Sequence, residues 1–329
     1  MIGFLIILSF FFSFLGTFIV KYFAAKKNIM DIPNIRSSHV QPTPRGGGLA
    51  IALAWFVAII VLLLFRRIPE SLFASLLCGI PITLIGLVDD IVTISPKLRL
   101  LVQLIFASLA VYFLQGLHFI DLGFAILDVP LLFNILAVLG IVWFINLFNF
   151  LDGIDGYIST EIIFICLGAS LVTDTKLPLL LAAATSGFLI LNWQPAKIFM
   201  GDVGSTLLGF TIAIFLIYYQ NANESSVIIW LMLSSLFWYD ATITLIRRWR
   251  NHEQLSKAHK KHAYQRIIQY GFSHQKTVIY SVFINVPILG LTFLAYYLPA
   301  MALLFFVIDI IYLFFVMKMV DKKFPFQYN

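Results

Sequence analysis

The sequence predicts an all-α polytopic integral membrane protein, and three observations carry that prediction. Of the 329 residues, 61% are hydrophobic and 12% are charged, whereas a soluble domain carries about 25% charged residues. The mean hydropathy is +0.96. The polar stretches between the apolar runs are too short to fold as a soluble domain, so we expect residues 1–329 to form a single transmembrane domain.

Eleven apolar runs have the length of a membrane span, which takes roughly 17 to 25 apolar residues. No basic residue precedes Lys21 and no small-residue cleavage site follows the first run, so we expect this run to remain as the first span. The predicted spans lie near residues 2–20, 46–65, 72–88, 98–115, 130–148, 157–173, 177–193, 205–219, 226–246, 277–297 and 299–317.

The distribution of Lys and Arg predicts the orientation of these spans. If the first span enters the cytoplasm at Lys21, 19 of the 22 basic residues fall in inner loops, and the outer loops hold Arg66, Arg67 and Lys176. By the positive-inside rule the N-terminus is periplasmic and the C-terminus cytoplasmic. The same rule accounts for the net charge of +6 without nucleic acid as a partner. Cys78 and Cys166 lie inside apolar runs and predict neither a disulfide nor a zinc site.

All the polar clusters whose side chains could bind a ligand or take part in a reaction fall on the inner side. The first is Pro-Thr-Pro-Arg-Gly-Gly-Gly at 42–48. Two interpretations stand for it: a loop that leads into a helix, or a phosphate-binding or lid segment with one fixed cation. Under the second, Thr43, Arg45 and Gly47 are candidate substrate-binding residues.

Adjacent carboxylates follow the third predicted span, at Asp89 and Asp90. Such a pair is costly unless a cation compensates it. A divalent metal could do so, and so could Lys97 and Arg99 about two turns on. Lys97 is also a candidate substrate-binding residue. The alternative is a solvated helix end.

The most concentrated polar stretch is Asn146–Gly156, where an apolar run stops and two amides and two carboxylates follow within ten positions. It predicts a polar site at the end of a membrane helix, and the alternative is a loop that merely ends the helix. A second stretch runs from Asn192 to Ser205, where Asp202 sits in Gly-Asp-Val-Gly just before another span. That pattern resembles a helix N-terminus whose amides hold an anion. A carboxylate beside it favours Mg²⁺, or Mn²⁺, bridging to phosphate.

The densest basic region lies in the last inner loop, with His252, His259 and His262 among five Lys and Arg residues. Attraction to lipid headgroups would explain it, but we favour an anionic substrate, because Tyr264 and Gln265 are not needed for headgroup attraction. Candidate substrate-binding residues here and nearby are Asp240, Arg247, His259, His262, Tyr264 and Gln265.

Other polar residues suggest no chemistry. Asp309 lies deep in the last span, where it could pair with a polar neighbour, and His118 and His274 are interpreted as ordinary loop residues. Residues 116–129 are expected to form a small hairpin.

Five ordered motifs resemble the polyprenyl-phosphate N-acetylhexosamine-1-phosphate transferase family, and the match covers about residues 31 to 270. The motifs are Asp-Xaa-Pro-Asn-Xaa-Arg-Ser-Xaa-His at 31–39, Pro-Thr-Pro-Arg-Gly-Gly-Gly at 42–48, Val-Asp-Asp at 88–90, Asn-Phe-Leu-Asp-Gly-Ile-Asp-Gly at 149–156 and Phe-Met-Gly-Asp-Val-Gly-Ser at 199–205.

This resemblance implies transfer of a sugar 1-phosphate from a UDP-sugar to undecaprenyl phosphate, with release of UMP, at a cytoplasmic site in the bacterial inner membrane. It implies that Asp202 and Asn149 bind Mg²⁺ and that Asp152 and Asp155 line the nucleotide and metal site. It also implies that Asp89 and Asp90 engage the metal or the lipid phosphate, one of them as the general base. The candidate catalytic residues are therefore Asp89, Asp90, Asp152 and Asp155. Asn192 is a further candidate for substrate binding. The family also includes homodimers.

The loop sequence His-Lys-Lys-His-Ala-Tyr-Gln at 259–265 departs from the usual His-Xaa-His-His of the family. It resembles the subgroup that initiates O-antigen and lipopolysaccharide synthesis with 6-deoxy donors such as UDP-FucNAc or UDP-QuiNAc. Two other function classes stand beside the enzyme. A carrier or flippase would need a polar path across the bilayer, for which Glu161, Asp240 and Asp309 are too few and scattered. A non-catalytic homologue that binds lipid phosphate is the other.

Overall fold

The computed structural model describes residues 1–33, 41–255 and 259–326, and within them the chain is almost entirely helical. The helices are α1 (Ile2–Lys26), α2 (Gly48–Leu64), α3 (Glu70–Leu77), α4 (Gly79–Ile91), α5 (Pro96–Phe113), α6 (Pro130–Leu151), α7 (Tyr157–Thr173), α8 (Leu177–Asn192), α9 (Asp202–Asn221), α10 (Val227–Leu233), α11 (Ser235–Arg250), α12 (Ala263–Gln269), α13 (His274–Tyr297) and α14 (Ala302–Lys323), with a 3₁₀ turn at Pro299–Met301.

The chain is a multi-pass membrane protein. In the described residues, seven helical segments are long and apolar enough to cross a membrane: α1, α3 with α4, α5, α6, α9, α13, and the 3₁₀ turn with α14. The bent pair α10 and α11 makes an eighth, and α2, α7 and α8 are shorter apolar helices. Each of the eleven predicted spans overlaps one of these segments. The count of eleven and the orientation stay predictions.

The predicted span at 226–246 is not one straight helix. It bends by 77° between α10 and α11, at Ser234, whose hydroxyl donates to the Trp230 carbonyl at 2.7 Å. Such back-bonding of Ser bends helices. The indole N–H of Trp238 donates to the Leu231 carbonyl at 2.7 Å, so a carbonyl at the break keeps a partner.

Helix α9 is the centre of the bundle. Of its most apolar 18 residues 89% are buried, against 22–44% in the other six long segments. Its first turn is approached closely because two neighbouring helices present glycine. A Cβ at Gly86 of α4 would lie 2.7 Å from the Asp202 carbonyl oxygen, and a Cβ at Gly48 of α2 would collide with the backbone of Gly204.

Two short antiparallel pairs complete the described structure. Strands β3 (Ile120–Asp121) and β4 (Ile126–Leu127) confirm the hairpin predicted within 116–129. Strands β1 (Met30–Asp31) and β2 (Thr43–Pro44) were not predicted, because the intervening sequence has no alternating pattern. Residues 34–40, which carry most of the first family motif, lie outside the described residues.

Candidate active site

One end of the bundle, called the site end here, gathers the predicted polar residues. Helices α4 and α6 finish there, at Ile91 and Leu151, and helices α2, α5 and α9 begin there. Because helices that begin at this end alternate along the chain with helices that finish there, residues distant in sequence become neighbours.

The Asp202 carboxylate is the hub of the cluster. Its Oδ2 accepts hydrogen bonds from Asn149 Nδ2 at 2.9 Å and from Arg99 Nη1 at 2.8 Å. Its Oδ1 accepts from Arg45 Nη2 at 3.1 Å. Three segments that are separate in sequence therefore meet on one carboxylate.

Asp90 caps the start of α9. Its two carboxylate oxygens accept the backbone N–H groups of Asp202, at 2.9 Å, and of Val203, at 3.2 Å. The first N–H groups of a helix have no partner within it and favour an anion. The amide cradle predicted for a substrate anion therefore exists, but the anion it holds is Asp90, which corrects the sequence-based interpretation.

Arginines, and not lysine, compensate the adjacent carboxylates. Arg99 Nη1 lies 2.5 Å from Asp89 Oδ2, and Asp89 Oδ1 accepts the backbone N–H of Ile94 at 2.7 Å. Arg45 Nε lies 2.8 Å from Asp90 Oδ1. Lys97 is exposed and pairs with no carboxylate of the described residues, so the structure does not bring it into the cluster.

The backbone of Arg45 continues the pairing of β2 with the segment that contains β1. Its backbone N–H donates to the Ile29 carbonyl at 3.2 Å. Burial opposes the charge of its guanidinium, but Asp90 and Asp202 outweigh that effect and raise the pKa of Arg45. The residue therefore stays a cation at every accessible pH.

The glycine run beside Arg45 is not an open phosphate cradle. The backbone N–H groups of Gly47 and Gly48 both donate at 2.9 Å, to the carbonyls of Phe199 and Met200. The Thr43 hydroxyl donates to the Gln41 carbonyl at 3.1 Å. The two glycine N–H groups dock the start of α2 against the Asp202 segment and are not open to a substrate anion. Substrate binding by Thr43 and Gly47 stays a prediction.

Asp152 differs from the other carboxylates because no hydrogen bond to its side chain occurs within the described residues. It follows the last residue of α6, three positions after Asn149. Burial, and then the negative charges of Asp202 and Asp90, raise the pKa of Asp152 from 3.8 to about 8. Burial and the neighbouring carboxylates thus favour the protonated form of Asp152 in the absence of another cation.

Asp155 makes its hydrogen bonds to two other segments. Its Oδ2 accepts the backbone N–H of Ala196 at 3.1 Å. Its Oδ1 lies 3.3 Å from His274 Nδ1, and its backbone N–H donates to the same nitrogen. The interpretation of His274 as an ordinary loop residue was therefore wrong: it is buried and ties α13 to the loop after α6.

Asn192 is likewise a tie between loops. Its Oδ1 accepts the Gly156 N–H and its Nδ2 donates to the Ile198 carbonyl, each at 3.0 Å. Both ends of its buried amide thus make hydrogen bonds within the protein, and substrate binding by this side chain stays a prediction.

Asp240 serves the short helix α12. Its carboxylate accepts the backbone N–H of Ala263 at 3.0 and 3.1 Å and the Thr244 hydroxyl at 3.1 Å. His262 Nδ1 lies 3.8 Å from the same carboxylate. Gln265 Oε1 accepts the backbone N–H of His262 at 3.3 Å. The predicted substrate ligands Asp240, His262 and Gln265 therefore organise the start of α12.

Two cations of the basic loop share one carboxylate, that of Glu253. Arg248 is buried and donates to Glu253 Oε2 at 3.1 Å, and Lys261 Nζ lies 2.7 Å from Glu253 Oε1. Partial burial opposes ionisation, but hydrogen bonds from Lys261, Asn251 and Arg248 lower the pKa of Glu253 to about 2. Burial, together with the electrostatic effect of the neighbouring His262 and Arg248, lowers the pKa of His259 to about 3. His259 is neutral at pH 7 and adds no positive charge for an anion.

Tyr264 connects α12 to the carboxylate cluster. Its hydroxyl donates to the Phe150 carbonyl at 3.2 Å, two residues before Asp152. Its ring lies 4.9 Å from the ring of Tyr157. A Cβ at Gly153 would collide with the Tyr264 hydroxyl, so glycine is needed there for close approach.

The oxygen atoms of the cluster are suitable ligands for a hard cation, although its carboxylates are paired with arginines in this structure. Within residues 1–33, 41–255 and 259–326, no three His, Cys, Asp or Glu side chains are arranged as a metal site. The atoms offered by Asp89, Asp90, Asp202 and Asn149 are nevertheless carboxylate and amide oxygens, the ligands Mg²⁺ prefers. The Asp152 carboxylate has no hydrogen-bond partner in the described residues, so its oxygens remain available to an added cation. The residues therefore fit Mg²⁺ in chemistry.

Sequence reasoning brought together Arg45, Asp89, Asp90, Asn149, Asp152 and Asp202, and it named Arg99 only as a counter-ion. It missed the contact of Arg99 with Asp202, which is 103 positions away. It also missed Asp321, which lies 2.6 Å from Arg247 Nη2. No local sequence pattern predicts the contacts Arg99–Asp202 and Arg247–Asp321, because both depend on how distant helix ends pack.

The chain is similar to a known family of transferases. Residues 72–220 match the family model described as glycosyl transferase family 4. The chain is 32% identical over 274 residues, covering 79% of this chain and 75% of the relative, to the probable undecaprenyl-phosphate N-acetylglucosaminyl 1-phosphate transferase of Bacillus subtilis.

Two further relatives carry similar names. The undecaprenyl-phosphate alpha-N-acetylglucosaminyl 1-phosphate transferase of Thermotoga maritima is 34% identical over 201 residues, which cover 60% of this chain and 59% of the relative. The decaprenyl-phosphate N-acetylglucosaminephosphotransferase of Mycobacterium leprae is 27% identical over 315 residues, with 81% and 77% covered.

Proposed function

The chain belongs to the polyprenyl-phosphate sugar-1-phosphate transferases of glycosyl transferase family 4, and on that premise we propose that it transfers a sugar 1-phosphate from a UDP-sugar to undecaprenyl phosphate. The second product is UMP. The observation that carries the proposal is the meeting of Asp89, Asp90, Asn149 and Asp202 with Arg45 and Arg99 at one helix end.

The reaction is a phosphoryl transfer in which an oxygen of the lipid phosphate attacks the β-phosphorus of the donor. The bond from that phosphorus to the bridging oxygen breaks, and UMP leaves with the electron pair. A phosphate monoester with a second pKa near 6 is already mostly dianionic at pH 7, so it needs little help from a base. Positioning and charge neutralisation carry the catalysis.

Each residue of the cluster has a role in this proposal. Arg45 and Arg99 are partly exposed and offer guanidinium groups to phosphate oxygens. Asp89 and Asp90 hold those arginines in place. Asp152 and Asp202, with Asn149, would hold a Mg²⁺ ion, or Mn²⁺, which supplies charge neutralisation for the diphosphate when bound.

The donor is proposed to be a UDP-N-acetylhexosamine, and the relatives' names make UDP-GlcNAc the first to test. The loop that suggested a 6-deoxy donor uses His262 and Tyr264 in its own packing, so its sequence is a weak guide to the sugar. The product would begin O-antigen or another cell-envelope glycan in the bacterial inner membrane. The family also implies a homodimer, which light scattering of the purified protein would test.

The test is UMP release by the purified protein with undecaprenyl phosphate, Mg²⁺ and a panel of UDP-GlcNAc, UDP-GalNAc, UDP-QuiNAc and UDP-FucNAc. We expect one donor to release UMP, EDTA to stop the release, and Asp202→Asn to lower it by about 100-fold or more. Glu224→Gln is the matched control, because Glu224 is an exposed carboxylate in the loop after the far end of α9. Silence across the panel from folded protein would refute the proposal.

A further inference from the structure

The C-terminal segment folds back onto the loop that supports the active site. We call residues 321–326 the C-terminal clasp. They are the last three residues of α14 and the three described residues that follow it. Asp321 accepts hydrogen bonds from Arg247 at 2.9 and 2.6 Å, and from Arg266 Nη1 at 2.9 Å. Arg247 lies in the last turn of α11 and Arg266 lies in α12, so the carboxylate of Asp321 joins three helices.

The rest of the clasp reinforces this junction. Arg266 Nη1 also donates to the Phe324 carbonyl at 2.5 Å. The ring of Phe326 is buried, with cations 5.4 to 5.7 Å from its centroid, contributed by Arg247, Lys261 and Arg266. Cation–π contacts at that distance are attractive and become stronger when desolvated. Basic residues that the sequence would assign to lipid headgroups therefore face the chain's own terminus.

Helix α12 needs such external support. It has seven residues, and an isolated helix shorter than about 12 residues is marginal in water. The carboxylate of Asp240 accepts the first backbone N–H of α12, at Ala263. The carboxylate of Asp321 binds α12 through the side chain of Arg266. Without the clasp, α12 would keep only the first of these two polar anchors.

The position of α12 is transmitted to the carboxylate cluster through one residue. Tyr264 is two positions before Arg266 in α12, and its hydroxyl donates to the Phe150 carbonyl. That carbonyl belongs to the last turn of α6, which carries Asn149 and is followed by Asp152. A continuous path of contacts thus runs from Asp321 to the turn that presents the site.

We propose that the C-terminal clasp is a positioning element of the active site, acting through Arg266 and Tyr264 on the Phe150–Gly153 turn. The clasp touches no reacting atom. The proposal rests on the proposed function for its kinetic consequence, whereas its structural part, the coupling of residue 321 to residues 150–156, holds independently of which reaction is catalysed.

The first variant to test is Asp321→Asn, with Lys322→Gln as the matched control, because Lys322 is the adjacent and exposed residue of the same helix. We expect Asp321→Asn to increase hydrogen–deuterium exchange at 263–269 and at 150–156. We expect kcat to fall about 10-fold, with the KM for undecaprenyl phosphate changed less than twofold, because misplaced site residues cost rate before affinity. Asp321→Glu should restore most of the rate.

A double-mutant cycle separates positioning from general destabilisation. Tyr264→Phe removes the hydroxyl that reaches Phe150, so Asp321→Asn should cost little more in that background than Tyr264→Phe alone. If Asp321→Asn does not fold, Phe326→Leu, which removes the aromatic ring but keeps an apolar side chain, replaces it in the cycle.

The outcomes are distinguishable. Unchanged exchange at 150–156 in a variant whose clasp exchanges faster would overturn the clasp proposal, and so would strictly additive losses in the cycle. If the wild-type protein releases UMP from no donor, the proposed function fails, and the exchange measurement alone still decides whether the clasp is coupled to the turn.

Discussion

Asp90 and Asp202 are joined through the backbone: the carboxylate of Asp90 accepts the N–H of Asp202 at 2.9 Å. The end of α4 thereby supplies the cap for α9, and the side chain of Asp202 is left for Arg45, Arg99 and Asn149. One carboxylate orders the helix, and the other faces the site.

Replacing Asp90 by Asn should therefore weaken the start of α9. The amide keeps one acceptor oxygen but loses the charge that favours the helix N-terminus, so we expect the free energy of unfolding to fall by about 1–2 kcal/mol. Thermal unfolding in detergent would measure it. Asp128→Asn is the control, because Asp128 is exposed near the β3–β4 hairpin, and an equal loss in the control would contradict the capping role.

Asp152 should make Mg²⁺ binding depend on pH. Its folded-state pKa of about 8 lies above the ordinary 3.8, so its proton stabilises the metal-free protein, fully below about pH 4, and this stabilisation is lost as the pH rises through about 8. Since the ion competes with that proton, apparent affinity should rise up to about tenfold per pH unit below pH 8 and level off above it.

The measurement is the Mg²⁺ concentration that half-saturates the thermal stabilisation, taken between about pH 6 and pH 9. Asp152→Asn lacks the titrating group and should show a much flatter dependence. Equal slopes in the wild type and the variant would show that Asp152 does not face the bound ion.

Gly48→Ala should destabilise the junction of α2 with α9. The added Cβ would collide with the backbone of Gly204, where neither helix has a flexible side chain to move aside. Overpacking of this kind costs about 1–3 kcal/mol. Gly140→Ala is the matched control, because no atom lies within 4 Å of a Cβ at this glycine of α6. Thermal unfolding of the two variants side by side decides the point, and equal melting temperatures would contradict it.

Asn192→Ala should loosen two loops together. The change leaves the Gly156 N–H and the Ile198 carbonyl without their partner, which costs about 1–3 kcal/mol for buried groups. We expect a lower melting temperature and faster hydrogen exchange at both positions. Gln275→Ala removes an exposed amide side chain instead and should change neither. A substrate-binding role for Asn192 would show itself differently, as a raised KM with unchanged stability.

The membrane helices could be predicted from the sequence because apolar length and basic flanks are local properties. The grouping of Asp89, Asp90, Asn149 and Asp202 could also be predicted, since each directly precedes or follows a span and the spans alternate in direction. The β3–β4 hairpin was predicted from its position between two spans.

Partners could not be predicted in the same way. The N-terminus of α9 looked ready for a substrate anion, but Asp90 from another helix fills it. His262, Arg247 and Asp240 looked like ligands for an anionic substrate, yet they bind one another, α12 or Asp321. Sequence shows which residues need a partner, whereas the partner itself depends on how distant helix ends pack.

The burial of α9 has a mechanical consequence for the site. A helix with almost no lipid-facing surface does not sense bilayer thickness directly, because hydrophobic mismatch acts where side chains meet acyl chains. Thinner or thicker membranes should tilt the peripheral helices first, while the first turn of α9 keeps its place among α2, α4 and α6. The position of the Asp202 carboxylate should therefore depend little on the thickness of the surrounding membrane.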